Sequence, residues 1–245
     1  MPRLLKDQSI VSQWQKFFEE YCKADIETVA LEYPEKRSLF VDFWKIDEAD
    51  PKLSELLVNQ PYKVISNAEE ALKNIDVAVE NKLELHFRVL NLPDTRRIAI
   101  RKIRSNHLGK LTAIEGLVKK RTEVRPKLQV GAFQCQKCGA IIRIEQEEDI
   151  LKEPTDCSEE QGGCGRVSSF KLLTTLSSFI DSQKIEIQES PEGLRGGAQP
   201  ERISVSLEDD LVGEIAPGDR VVINGILQSM QRRRGTFRLT SFDKA

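Results

Sequence analysis

Cys135, Cys138, Cys157 and Cys164 are four of the five cysteines in the chain, and they fall close together. Thiols placed this way can ligate a metal, pair as disulfides or act on a substrate. Cys135 and Cys138 form a C-x2-C step followed by Gly139. That gap lets both thiolates face one ion from a tight turn, and the glycine relieves strain where backbone amides approach the sulfurs. Cys157 and Cys164 bring a second pair, with QGGCG making the turn, at a gap longer than the usual spacing of about two to four residues. Four thiolates suit tetrahedral Zn2+, and a closed four-sulfur site leaves no position for water or substrate, so a structural zinc is expected. Iron–sulfur ligation uses the same donors. Redox chemistry needs only one C-x-x-C pair. The segment is too polar to bury a core of its own, so metal binding would supply its folding free energy.

The second set of candidates is basic. QRRRGTFR, Gln231 to Arg238, lies between two strand-like runs and is expected to be a hairpin, with Arg232, Arg233 and Arg234 near its tip. Adjacent cations repel unless an anion is present, and guanidinium forks match phosphate oxygens. VKKRTEVRPK, Val118 to Lys127, holds Arg121, Arg125 and Lys127 on a strand pair, either as a solvated barrel surface or as a polyanion contact. The remaining polar groups read as inert. His86 and His107 lie outside the cysteine cluster and are expected to be surface or packing residues. Glu208–Asp210 reads as a solvated strand end, and Cys22 as a packing or surface thiol. No local motif assembles a nucleophile, and no G-x-x-x-x-G-K-[ST] phosphate loop is present.

These residues need positioning elements, and 245 residues at 39% hydrophobic and 31% charged can supply them. Ile10, Val11, Trp14, Phe17, Phe18 and Tyr21 recur at helical spacing, with Asp7 or Ser9 as cap. SLFVDFW, Ser38 to Trp44, reads as a short strand. Pro51 after Asp50 opens a helix, Pro61 ends or kinks it, and a further helix runs through Ala68, Ala71, Leu72 and Ile75. From Leu83 onward short alternating runs separated by Gly, Pro and charge predict a small barrel or sandwich, into which the cysteine segment is inserted. The clearest loop is ESPEGLRGGAQPER, Glu189 to Arg202.

The formal net charge of −2 hides polarised pieces. Lys110–Val130 carries six Lys/Arg against two Glu, and Glu145–Glu160 carries eight Asp/Glu against one Lys. The acidic run is expected to be the solvated outer face of the cysteine module. No apolar run approaches the roughly 18 residues of a membrane span, and no secretory signal opens the chain, so a cytosolic protein without a membrane partner is expected.

NLPDTRRIAIRKIRSNHLGKLTAIEGLVKKRTEVRPKL, the cysteine insertion and the ISVSLEDDLV and PGDRVVINGIL runs together resemble the N-terminal region of archaeal minichromosome maintenance (MCM) replicative helicases. FVDFWKIDEADPKLSELLVNQPYKVISNAEEAL resembles that family's helical first domain. The resemblance implies an α+β multi-domain chain. Its parts are a helical bundle over 1–82, an OB-fold barrel over 83–133 and 171–245 with a DNA-binding hairpin, and a zinc subdomain over 134–170. It implies zinc ligation by Cys135, Cys138, Cys157 and Cys164. It places Arg232, Arg233 and Arg234 on a channel-lining hairpin, and Arg121, Arg125 and Lys127 near single-strand DNA positions. It also places Arg195 and Arg202 at the flanks of a loop resembling the one that signals to the ATPase domain, and they are counted with the DNA-binding set; Glu201 stands where the family pattern has arginine directly after proline. The resemblance further implies a hexameric or double-hexameric ring around single- or double-stranded DNA, and contacts with other replication proteins. It also implies an archaeal, nucleoid-associated location and an ATPase domain beyond Ala245 that binds ATP and Mg2+. The rival reading is a stand-alone OB-fold and zinc-ribbon binder of single-stranded DNA or RNA, monomeric and without ring closure. A zinc hydrolase is disfavoured by the closed site.

Overall fold

The structure is a computed structural model that describes residues 8–75, 84–146, 151–190, 199–231 and 238–244. Its contacts divide into two compact units, Met1–Thr122 with Lys184–Ala245, and Glu123–Gln183.

The first unit opens with helices α1 (Gln8–Tyr21), α2 (Lys23–Leu31), α3 (Phe43–Ala49), α4 (Pro51–Asn59) and α5 (Pro61–Lys73). Between α2 and α3 runs β1 (Ser38–Asp42), which pairs in parallel with β2 (His86–Leu90). The apolar face of α1 is realised: Ile10, Trp14, Phe17 and Phe18 are buried, with Trp14 stacked on Phe18 at 5.2 Å between centroids and meeting the edge of Phe87 at 4.8 Å. Of the two expected caps, Ser9 lies inside α1 and Asp7 lies outside the described residues. The SLFVDFW run does not stay extended to Trp44. Asp42 accepts a hydrogen bond from the Trp44 amide at 2.9 Å, and this cap turns the chain into α3 at Phe43. Asp50 caps α4 in the same way, accepting from the amides of Lys52 and Leu53 with Pro51 in the first turn. Cys22 is buried, and desolvation raises its thiol to about 11, so it is an inert packing group.

The strands that follow are β3 (Leu111–Arg121), β4 (Arg125–Cys135), β5 (Ile141–Glu145), β6 (Phe170–Leu172), β7 (Ser178–Gln188), β8 (Arg202–Glu208), β9 (Arg220–Gln231) and β10 (Arg238–Lys244). In the first unit β3 pairs with β9, β9 with β10, β10 with β8 and β8 with β7, while β3 also pairs with β7. The order β3-β7-β8-β10-β9-β3 closes on itself, with β8 and β10 parallel and the β3–β9, β9–β10 and β3–β7 pairs antiparallel. This is a five-stranded OB-like barrel. Ile114, Val118, Ile185, Ile187, Ile203, Val205, Leu207 and Leu227 are buried in its core. Closure brings β3 against β7 so tightly that a Cβ on Gly116 would lie 2.5 Å from the Gln188 carbonyl oxygen, which explains a glycine in mid-strand.

A polar staple ties the helices to the barrel. His86 reaches Glu69 of α5 through Nδ1 at 3.2 Å and Asp209 through Nε2 at 3.0 Å. Arg37 lies 3.4 Å from Asp209, and Ser38 donates to Asp210 at 2.8 Å. Buried Arg88 donates to the Ser38 hydroxyl at 3.2 Å and stands 3.8 Å from Asp210. The expectation of a solvated Glu208–Asp210 strand end is therefore corrected: the side chains of Asp209 and Asp210 are 15% and 14% exposed. Burial here is possible because each carboxylate meets cationic or hydroxyl donors. No helix among the described residues is long and apolar enough to cross a membrane.

Candidate metal centre and basic surfaces

In the second unit β4 pairs with β5, β6 and the first half of β7, and it delivers Cys135 as its last residue. The chain then turns tightly, the Gly139 amide donating to the Cys135 carbonyl at 2.9 Å, and Cys138 comes round beside Cys135. The opposite wall is set by the Asp156–Val167 bridge and by Cys157, whose amide donates to the Arg166 carbonyl at 3.1 Å. Cys164 folds back, its amide 3.3 Å from the Cys157 sulfur. Gly163 is required there, because a Cβ at that position would sit 2.4 Å from the Cys157 sulfur.

All four sulfurs lie within 4.8 Å of one another, and Cys138 and Cys157 are 3.6 Å apart. A tetrahedral ion with metal–sulfur bonds of about 2.3 Å would hold its sulfurs about 3.8 Å apart, so the cluster fits one such ion. None of the cysteines is in a disulfide. The Ser168 hydroxyl and the amides of Cys138 and Lys137 lower Cys135 to about 6, favouring the thiolate a metal needs. Burial pushes Cys157 up to about 12, a penalty that a bound cation would offset. Beyond the cysteines, Ile142 is the fully buried apolar member of this small core, with Ala140, Ile144 and Phe170 packed against it. With so little apolar area, a bound ion would be the organising centre.

The basic candidates are distributed over both units. On β3, Arg121 is exposed and donates to the Ile215 carbonyl at 3.2 Å; a register shift between Val118 and Lys120 precedes it. On β4, Arg125 is 79% exposed with Glu123 at 3.9 Å, and Lys127, two residues on, shares its face. Arg202 is engaged, its Nη1 2.9 Å from Glu186 and its Nε donating to Gln188 at 3.2 Å. Arg195, Arg232, Arg233 and Arg234 lie outside the described residues. The strands flanking the arginine run pair antiparallel, with Gln231 opposite Arg238.

A groove of about 1120 Å³ in the first unit was not anticipated. It is lined by Arg97, Arg101, Lys102 and Arg220 against Glu115 and Glu189. Glu115 bridges Arg97 at 3.5 Å and Arg220 at 3.3 Å. Its sequence signal is the cluster of cations in RRIAIRKIR, whose acidic partners, Glu115 on β3 and Glu189 just past β7, lie outside that run.

A closed barrel that carries a four-cysteine candidate metal site between its first and second strands, beside a helical bundle, defines an OB-fold protein with an inserted cysteine module. Comparison with known proteins narrows it: residues 99–231 match the MCM OB domain and residues 11–107 the MCM N-terminal domain. The chain belongs to the MCM family. It is 32% identical over 206 residues to the minichromosome maintenance protein MCM of Saccharolobus solfataricus, covering 80% of this chain and 29% of that protein. Against the rice DNA replication licensing factor MCM4 it is 30% identical over 208 residues, covering 84% of this chain and 24% of the relative. The chain therefore spans less than a third of these relatives. A 1.8 Å crystal structure of the N-terminal domain of an archaeal MCM superposes with a TM-score of 0.79 at 34% identity, covering 97% of this chain and 96% of that one.

Proposed function

We propose that this chain is the DNA-binding and ring-assembly region of an ATP-dependent replicative DNA helicase. The observation that carries the reading is the antiparallel β9–β10 pair, which brackets Arg232, Arg233 and Arg234 on a barrel of the MCM OB family. In this reading the arginine hairpin, with Arg121, Arg125 and Lys127, holds the phosphate backbone of single- or double-stranded DNA and reads little sequence. Arg195 falls between β7 and β8 in the sequence and Arg202 opens β8; the crossover they flank relays DNA occupancy to an ATPase domain supplied elsewhere in the full protein, where ATP and Mg2+ act. The working boundaries are a helical domain over 1–82, the barrel over 83–133 and 171–245, and the metal module over 134–170. The ion is Zn2+ in a structural role, held by Cys135, Cys138, Cys157 and Cys164. The chain assembles as a hexamer or double hexamer, meets other replication proteins and works in the cytoplasm at the nucleoid.

The test is a single-strand DNA titration over a range of salt. Replacing Arg232, Arg233 and Arg234 together by alanine weakens binding and flattens the salt dependence by about 0.7 log unit per lost phosphate contact. An unchanged slope removes the hairpin from the interface. Mass in solution, measured with and without DNA, separates a ring from the monomer that a stand-alone OB and zinc-ribbon binder would be.

A further inference from the structure

Glu189 follows the last residue of β7, its side chain is 8% exposed, and its carboxylate collects donors from two other places in the chain. The Arg101 guanidinium reaches both oxygens, Nε at 3.0 and 2.9 Å and Nη2 at 2.7 Å. The Arg101 backbone amide donates to the same group at 2.9 Å, and the Glu201 amide donates at 3.2 Å. The Glu189 amide in turn donates to the Glu201 carbonyl at 3.1 Å. One buried carboxylate thus joins the start of the β7–β8 crossover, its end, and the turn Ile100–Lys102 that lines the charged groove. Arg202, just beyond, is held by Glu186 and Gln188 of β7.

We propose that Glu189 and Arg101 are positioning residues: a clamp that fixes where the β7–β8 crossover leaves and re-enters the barrel and couples both points to the Ile100–Lys102 turn. The proposal deepens the reading of the crossover as a relay, and rests on that reading only for its consequence: a shift of the turn moves both ends of the relay together. The chemistry demands this pair. A planar guanidinium satisfies two carboxylate oxygens side-on, which an ammonium point charge does not, and the carboxylate is the one group that also accepts two backbone amides.

Hydrogen exchange of the chain, read by NMR or mass spectrometry, tests it together with single-strand DNA affinity. Glu189→Gln keeps the shape but places an amide donor against Arg101. The Arg101 and Glu201 amides then exchange about tenfold faster or more, while the amides of the β3–β9 pair and the DNA affinity stay at wild-type values. Arg101→Lys, which retains charge without the fork, gives a smaller rise at the same two amides and carries the test if Glu189→Gln does not fold. Unchanged exchange at those amides, or an equal rise in β3 and β9, overturns the clamp. So does a loss of DNA affinity in Arg101→Lys as large as that of Arg121→Ala, since Arg101 would then be a DNA ligand. A wild-type chain that binds no DNA defeats the proposed function instead, and the exchange rates still decide the clamp.

Discussion

Asp210 shows what a single side chain can carry in this fold. It accepts from Ser38 and faces Arg88, a buried cation that also donates to the same Ser38 hydroxyl. Asp210→Ala leaves that guanidinium short of its counter-charge in a dry site, and a loss of about 3 kcal/mol is expected in urea unfolding. Glu189 adds a pH dependence. Hydrogen bonds from Arg101 hold its carboxyl below the ordinary value of 4.5. A depressed pKa stabilises the folded state above the unfolded pKa, and the effect is lost as pH falls through the folded one. The stability gap between wild type and Glu189→Gln is therefore constant near neutrality and shrinks as pH drops below about 4.5, measurable by denaturation across an acid series. Neither role was legible in the sequence. Asp209 and Asp210 look like any charged strand end, because their partners Arg37, Ser38, His86 and Arg88 lie more than a hundred residues away.

Elements whose information is local were readable. The spacing of Ile10, Trp14, Phe17 and Phe18 fixes one face of α1, and Asp50 before Pro51 marks the start of α4. The cysteine module was readable for the same reason, since thiols with turn residues beside them state their chemistry in place. The closure of β3 on β7 was not, because register across a barrel depends on distant neighbours. The module also makes the clearest prediction at this scale. Among the described residues Ile142 is the one fully buried apolar side chain in this cluster besides the cysteines, so the module is expected to depend on a bound ion. Cys157→Ser, or treatment with a chelator, is expected to abolish metal binding and collapse the protected amides of β5 and β6, while β3 and β9 keep theirs. Mass spectrometry under native conditions and hydrogen exchange report the two effects separately.

At the scale of the whole molecule, the near-neutral total charge concealed strongly basic and strongly acidic stretches. The salt-slope measurement belongs here, because it counts phosphates neutralised by the assembled surface and not by any one arginine. The barrel also treats its largest insertion in a particular way. Thr122 and Lys184, at the two edges of the first unit, exchange a backbone bond at 2.8 Å and a side-chain bond at 3.0 Å. The chain thus departs and returns through a single doorway, already latched from the barrel side. Whatever grows between those two residues can lengthen or shrink without rethreading the strands behind it.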